Sequence, residues 1–262
     1  MAVPKHSERK LSLISDSDLI IQSSLSMQIR GSNFQKEPAT IFIDKSQGHW
    51  LWKDQAITSL TREFVVSFLA SQLDISIPRS IIAKKGRSLG LIQEWISNGK
   101  ELQSFSNSQM NCNNKGRILE LIIFETWIGA LDRHGGNYLI SEGEVWAIDF
   151  EESFGLETNG SELYLYFPWI KEANEELVDI IKDFKSKIRN RRLLKKETLF
   201  EQFSTLLKIL KDPRAKVALH NQLNHIYDLL NENYLHLEKL VSSHLHQNRV
   251  SLELTLHNRK SR

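Results

Sequence analysis

The sequence predicts a bilobal α+β fold, with a small β-rich N-terminal lobe that carries one helix and a larger helical C-terminal lobe. Short strand-like runs alternate with polar turns up to about residue 96, and residues 97–116 are rich in Asn, Ser, Gly, Lys and Gln. Amphipathic helical patterns then continue from residue 168 nearly to the end. A chain of 262 residues has room for two such lobes. We expect a flexible N-terminal arm at 1–18, the N-terminal lobe at 19–97 and the C-terminal lobe at 98–262.

The N-terminal lobe is predicted to be a strand meander interrupted by one helix. Phe64 and Phe68 lie at helical spacing, and Thr58 is the candidate N-cap because its hydroxyl can accept a hydrogen bond from a free N–H group of the first turn. A polar turn at 84–87 joins two apolar runs, which is typical of a hairpin. The predicted elements are strands at 24–30, 39–44, 50–53, 81–83 and 89–94 and a helix at 58–73.

The C-terminal lobe is predicted to begin with a helix that is apolar on nearly every side, which indicates burial. A polar loop at 131–137 follows this helix and leads into a ribbon of two short strands. The remaining segments place apolar residues three and four positions apart, with charged residues on the opposite face. The predicted elements are strands at 138–140 and 145–148 and helices at 118–130, 175–188, 197–210 and 216–246.

Composition excludes several classes of protein. The net charge is only +2, far below the excess that marks a dedicated nucleic-acid binder, so nucleic acid is not an expected partner. The single cysteine, Cys112, cannot form an internal disulfide, and residues 1–18 have no apolar core of a secretory signal, which favours a cytoplasmic location. The apolar stretch at 119–131 contains two glutamates and is shorter than the ~20 residues of a membrane span, so no span is expected.

Three oxygen-bearing side chains carry the chemical signal. Asp132 and Asn137 lie in the loop after the buried helix, and Asp149 follows Asn137 by twelve positions. The intervening ribbon turns the chain back, so we expect Asp149 close to Asn137. Phosphoryl transfer needs a carboxylate that orients and deprotonates a hydroxyl, and oxygen ligands for Mg²⁺, which these residues would provide. The alternative interpretation is a polar turn stabilised by Asp and Asn side chains.

The run D-R-H-G-G-N at 132–137, followed by I-D-F at 148–150, resembles the catalytic loop and metal-binding motif of the protein-kinase-like superfamily, specifically its HipA-like, actin-fragmin kinase-like and phosphoinositide-kinase-like branch. The resemblance implies a protein-kinase-like fold that uses ATP and Mg²⁺, with Asp132 as catalytic base and Asn137 and Asp149 as Mg²⁺ ligands. It also implies a set of nucleotide-binding residues from the N-terminal lobe: the phosphate-binding Lys53, its ion-pair partner Glu63, and Gln93, Glu94 and Trp95 in the hinge that meets the adenine.

The sequence departs from the family pattern in two places. No G-x-G-x-x-G loop is present, and the run G-S-N at 31–33 offers a single glycine for a loop that covers phosphates. Asp149-Phe150-Glu151 replaces the D-F-G form, so the switching of an activation segment is not implied. Lys45 is an alternative to Lys53 as the phosphate-binding lysine.

The predicted function is an ATP-dependent phosphotransferase that transfers the γ-phosphoryl group to a hydroxyl, foremost of a protein Ser or Thr, as in HipA-like kinases. A small-molecule hydroxyl is the alternative acceptor, and a nucleotide-binding pseudokinase that serves as an interaction module is the alternative from another class. The G-x-S-x-G run at 86–90 does not indicate a hydrolase, because a strand rather than a helix is predicted after it.

Overall fold

The computed structural model describes residues 11–13, 21–27, 39–102, 115–155, 163–167, 169–170 and 174–260. Six strands of the N-terminal part are β1 (Leu11–Leu13), β2 (Ile21–Met27), β3 (Ala39–Asp44), β4 (His49–Asp54), β5 (Ser80–Lys85) and β6 (Ser88–Glu94). They form one antiparallel sheet in the order β1-β5-β6-β4-β3-β2. The predicted meander and hairpin are confirmed.

The two faces of this sheet contribute to different cores. Lys53 of β4 pairs with Leu91 of β6, and directly paired residues point to the same face of a sheet. Leu91 belongs to the large core that includes the apolar side of helix α1 (Ile57–Leu73). Lys53 therefore faces the helix that carries Glu63. The opposite face forms a separate core of Phe42, Trp50, Trp52, Ile81, Ala83 and Ile92.

Helix α1 begins one residue earlier than the sequence predicts. Its N-cap position is Ala56, which has no side-chain acceptor, so the prediction of Thr58 as N-cap is wrong. The helix ends at Leu73, and the left-handed backbone of its C-cap residue Asp74 (φ 60°) accompanies a hydrogen bond from the Asp74 N–H to the carbonyl of Ala70. Packing of the apolar face against the sheet, rather than a polar cap, therefore stabilises the start of α1.

Part of the segment predicted as an N-terminal arm forms a strand. Residues 11–13 form β1 and pair with the edge of β5, whose exposed backbone offers them hydrogen-bonding groups. The arm, and the bounds of the two lobes, stay predictions. The strand predicted at 24–30 is present as β2, and residues 28–30 lie outside the described residues. The G-S-N run at 31–33 and Cys112 also lie outside the described residues.

The C-terminal part is mainly helical around a small sheet. Strands β7 (Lys100–Glu101), β8 (Tyr138–Ser141) and β9 (Glu144–Ala147) pair in that order. The helices are α2 (Lys115–Trp127), α3 (Leu163–Tyr166), α4 (Asn174–Asn190), α5 (Lys196–Glu201), α6 (Ser204–Ile209) and α7 (Pro213–Lys260). Helix α2 packs against α4 and α7 and is buried, as predicted. Within the described ranges, no helix combines the length and apolarity that crossing a bilayer requires.

The single helix predicted at 197–210 is wrong, since the chain forms two short helices there. Phe203, between α5 and α6, leaves helical geometry with φ −103° and ψ 3°. Its buried ring packs edge-on against Phe64 of α1, with 5.2 Å between ring centroids. Burial of this aromatic contact between the two lobes outweighs the local preference for a continuous helix.

Candidate active site

The structure brings Lys53 and Glu63 together in a buried ion pair. The Nζ of Lys53 lies 2.6 Å from Oε1 of Glu63, whose side chain is only 1% exposed. The alternative lysine, Lys45, is exposed in the turn between β3 and β4. Because β4 turns Lys53 toward α1, the strand and helix periods place the two charges opposite each other.

Lys53 is surrounded by negative charge. Burial alone would lower the pKa of Lys53, but the attraction of Glu63, and then of Asp149 and Glu151, outweighs burial and raises that pKa. The ammonium group is therefore charged at neutral pH. A buried cation of this kind can bind an anionic phosphate without first being protonated.

Asp132 and Asn137 are connected within one loop. The Nδ2 of Asn137 donates to the main-chain oxygen of Asp132 at 2.6 Å, which leaves the amide oxygen of Asn137 as a possible cation ligand. Asp132 has a left-handed backbone with φ 50°, and its side chain is 66% exposed. Its Oδ2 lies 3.8 Å from Nε2 of His134. The Asp132 carboxylate is thus accessible to an acceptor group from solvent.

The glycine at position 135 is explained by the close approach of Tyr166 from α3. A Cβ atom added to Gly135 would overlap the Tyr166 hydroxyl and lie 2.8 Å from its Cζ. This separation is well below van der Waals contact. Helix α3 therefore packs directly against the loop between Asp132 and Asn137.

Arg133, between these two residues, ties the loop to Asp149. Its guanidinium donates to Glu125 Oε1 at 2.9 Å and to the main-chain oxygens of Ile148, Asp149 and Asn137 at 2.8, 3.0 and 3.3 Å. Burial alone would lower the pKa of Arg133, but the charge of Glu125 outweighs it and raises that pKa. One buried cation thus holds both ends of the ribbon in register.

Asp149 belongs to a group of three carboxylates. One carboxylate oxygen each from Glu63, Asp149 and Glu151 lies within 4.8 Å of the other two. Asp149 has a left-handed backbone with φ 62°, and Phe150 is buried next to it. Burial, followed by repulsion from Asp149 and Glu63, raises the pKa of Glu151. The three carboxylates and Lys53 form the centre of the candidate site.

Gln93, Glu94 and Trp95 lie at the end of β6. The buried side chain of Gln93 donates to Ser80 Oγ at 3.1 Å. The main-chain N–H groups of Glu94 and Trp95 donate to carbonyls of the same lobe at 2.8 Å. Glu94 and Trp95 border a cavity of about 410 Å³, whose other residues are Asp44, Ser46, Gln47, Gly48, His49, Trp50, Arg79 and Ser97. Contact of this segment with adenine stays a prediction.

Sequence reasoning did not assign a role to three residues of the site. Glu125 lies within the apolar run of α2, and a buried carboxylate requires a buried cation, which is a signal that could have identified Arg133. Glu151 stands where the D-F-G form has its glycine, two positions after Asp149. The sequence shows this departure from the pattern but assigns no role to the carboxylate. Only the fold places Glu151 beside Glu63 of α1.

Comparison with known proteins identifies the fold. No family model and no curated protein matches the sequence. The crystal structure of the Helicobacter pylori proinflammatory kinase CtkA is similar at a TM-score of 0.51 and 11% identity, over 80% of this chain and 95% of that chain. This likeness shows a protein-kinase-like fold, so the predicted bilobal α+β architecture and the resemblance to the superfamily are confirmed at the level of the fold.

Two other solved structures match with lower TM-scores. HipA of the Shewanella oneidensis MR-1 toxin-antitoxin system, in a complex with HipB and its operator DNA, has 12% identity and a TM-score of 0.46. The match covers 92% of this chain and 76% of HipA. The Rio2 kinase from Chaetomium thermophilum, in an ADP/Mg²⁺-phosphoaspartate complex, has 12% identity and a TM-score of 0.38 over 81% of this chain and 71% of that chain.

Proposed function

We propose that this protein is an ATP-dependent phosphotransferase that transfers the γ-phosphoryl group of ATP to a hydroxyl, foremost of a protein Ser or Thr. The observation that supports the proposal best is the position of the buried Lys53–Glu63 pair beside Asp149, on a loop that Arg133 joins to Asp132 and Asn137. Phosphoryl transfer requires a cation that binds phosphate, oxygen ligands for Mg²⁺ and a carboxylate that orients the acceptor hydroxyl, and these residues supply all three.

Each residue has one proposed role. Lys53 binds the α- and β-phosphates, and Glu63 positions its ammonium group. Asn137 and Asp149 hold Mg²⁺, which neutralises charge on the phosphates when it is bound. Asp132 orients the acceptor hydroxyl and accepts its proton. The residues fit Mg²⁺, because the atoms that they offer as metal ligands are carboxylate and amide oxygens, which this hard cation prefers.

The acceptor class follows from the resemblance of the D-R-H-G-G-N and I-D-F segments to HipA-like kinases. The exposed Asp132 carboxylate is accessible to a hydroxyl on a large partner as well as on a small one. A small-molecule acceptor therefore remains the alternative. Mass spectrometry of phosphorylated products, after incubation with Mg·ATP and a cell lysate, distinguishes the two.

Asp132→Asn tests the proposed reaction. Turnover should fall by about 10²–10⁴ because a positioned base is lost, whereas Mg·ATP affinity should be nearly unchanged. Asp179→Asn, at an exposed carboxylate on α4, is the matched control and should retain full turnover. Near-normal turnover of Asp132→Asn would contradict the role of Asp132. Binding of Mg·ATP without transfer to any acceptor would instead support the pseudokinase.

A further inference from the structure

The three carboxylates of Glu63, Asp149 and Glu151 come from separate parts of the fold. Glu63 is on α1, in the N-terminal lobe, and the other two residues follow β9 in the C-terminal lobe. One oxygen of each lies within 4.8 Å of the others. In octahedral coordination with Mg²⁺–oxygen bonds of 2.0–2.1 Å, opposite ligand oxygens lie about 4 Å apart and adjacent ones about 3 Å apart. Side-chain rotations that draw the three oxygens together by about 1–2 Å would therefore place all of them around one cation.

A second observation points to a missing partner at the same place. Oε2 of Glu63 is buried and has no hydrogen-bond partner among the described residues, although Oε1 is bonded to Lys53. A buried carboxylate oxygen without a donor is costly, since it has lost water and gained nothing in return. The Glu63 side chain is only 1% exposed, so bulk solvent does not compensate this oxygen. A cation bound between the carboxylates would supply the partner that this oxygen lacks.

The carboxylates of the group also outnumber the cations beside them. Three carboxylates lie around the ammonium group of Lys53, and the guanidinium of Arg62 donates at 3.0 Å to the main chain of Glu151 rather than to a carboxylate. Like charges held this closely repel each other strongly where water is partly excluded. A divalent cation would offset this repulsion, and hard oxygen ligands favour Mg²⁺ or Mn²⁺.

The backbone holds Glu151 at this position. Nη1 of Arg62, the residue before Glu63 on α1, donates to the main-chain oxygen of Glu151 at 3.0 Å. The next residue, Glu152, accepts a hydrogen bond from the N–H of Leu131 at 3.2 Å through its own main-chain oxygen. The loop is thus attached on one side to α1 and on the other to the segment before Asp132. Glu151 is a fixed part of the site.

We propose that Glu151, together with Asp149 and Glu63, binds a divalent cation of the Mg²⁺ or Mn²⁺ class before any nucleotide arrives. The inference deepens the proposed function and rests on it for the role of Asp149. It adds two ligands, Glu151 and the free oxygen of Glu63, that the D-R-H-G-G-N and I-D-F resemblance does not imply. The metal-loaded protein then presents Lys53 and the cation together to an incoming phosphate.

The test is a titration of the full, metal-free chain with Mn²⁺ in the absence of nucleotide, followed by electron paramagnetic resonance of the free ion. The wild-type chain should bind one Mn²⁺, and Mg²⁺ should displace it. Glu151→Gln should weaken Mn²⁺ binding at least tenfold because it replaces an anionic ligand by a neutral one of the same shape. Glu152→Gln, an exposed neighbour with the same charge change, should bind within about twofold of wild type.

Two results would overturn the inference: no Mn²⁺ binding by the wild-type chain at millimolar concentration, or equal affinities of Glu151→Gln and wild type. Circular dichroism checks that the variants are folded. If Glu151→Gln does not fold, Glu151→Asp replaces it, and its shorter carboxylate should weaken Mn²⁺ binding measurably. An Asp variant with wild-type affinity would then count against the site.

This titration is independent of the phosphotransferase assay. If Mn²⁺ binding depends on Glu151 while Asp132→Asn transfers phosphate normally, the cation site stands and the proposed catalytic role fails. If Asp132→Asn abolishes transfer while Glu151→Gln binds Mn²⁺ like wild type, the phosphotransferase stands and the Glu151 site fails.

Discussion

Two buried ion pairs, Arg133–Glu125 and Lys53–Glu63, differ in how completely their polar atoms are satisfied. Both are short, with nitrogen-oxygen distances of 2.9 and 2.6 Å. Glu125 accepts from Arg133 with Oε1 and from the Tyr138 hydroxyl with Oε2, at 2.8 Å. Glu63 accepts only through Oε1 among the described residues. We call Arg133–Glu125 the closed pair, because both carboxylate oxygens accept hydrogen bonds, and Lys53–Glu63 the open pair, because one oxygen has no partner among the described residues.

This difference in hydrogen bonding indicates that one ion pair has a structural role and the other belongs to a binding site. A fully hydrogen-bonded buried network makes a structure rigid, and Arg133 further stacks on the rings of Tyr138 and Phe150 at 4.8 and 4.2 Å. A half-satisfied pair costs stability unless a ligand completes it. The closed pair therefore serves to hold Asp132, Asn137 and Asp149 in place, and the open pair is where we expect phosphate and cation to bind.

Glu125→Gln should have the largest effect on stability. It leaves the Arg133 guanidinium buried without a counter-ion, which costs about 3–5 kcal/mol of unfolding free energy. Urea unfolding, followed by tryptophan fluorescence, measures it. Glu120→Gln on the same helix removes a carboxylate whose side chain is 16% exposed and pairs with Lys187, and should cost less than about 1 kcal/mol. Equal losses in the two variants would refute the scaffold role.

Asp44→Asn should have a smaller effect, about 2 kcal/mol at pH 7. It tests whether complete hydrogen bonding stabilises a carboxylate that forms no ion pair with a described residue. Asp44 accepts from Trp50 Nε1 and Ser46 Oγ, at 2.8 and 2.7 Å, and from the N–H groups of Ser46 and Gly48. Burial alone would raise the pKa of Asp44, but these donors outweigh burial and lower it below 3.8.

The sign of this shift determines the pH dependence. A carboxylate whose pKa is lowered by folding adds stability that is present above 3.8 and is lost as the pH falls through the lower folded pKa. The stability difference between wild type and Asp44→Asn should therefore be constant from pH 7 to about 4 and shrink below it. Asp54→Asn, at an exposed position, is the control. A difference that persists unchanged in strong acid would contradict this account.

Glu63→Gln should have the smallest effect on stability, about 1 kcal/mol, although Glu63 is as buried as Glu125. The substitution removes a charge that is only half satisfied, and Lys53 keeps Asp149 and Glu151 as neighbours. Mg·ATP affinity, measured by calorimetry, should fall because Lys53 is no longer positioned. A loss of stability as large as that of Glu125→Gln would show that the two pairs are alike.

The order of elements was predictable because it depends on local pattern. Short apolar runs separated by polar turns placed β3 to β6, and the apolar run after Gly116 placed α2. The features that failed are those in which distant packing competes with local preference. Thr58 is a good N-cap residue but α1 starts at Ile57, and Phe203 leaves helical geometry where its ring meets Phe64.

The candidate site was predictable to the extent that its residues have a fixed spacing. Asp132, Asn137 and Asp149 lie on two loops joined by one short ribbon, so their proximity follows from the length of that ribbon. Gln93 shows the limit of this reasoning. Its place at the end of β6 was clear from the pattern, but only the paired strand shows that its amide bonds to Ser80.

The sequence by itself determined the bilobal α+β fold and the position of Asp132, Asn137 and Asp149 on two loops joined by a short ribbon, because each depends on residues close together in the chain. Only the tertiary structure decided that Arg133 closes one ion pair, that Glu63 leaves the other open, and that Glu151 joins Glu63 from the opposite lobe. The reason is physical: whether a buried charge is satisfied depends on atoms from distant segments, which meet only when both lobes pack.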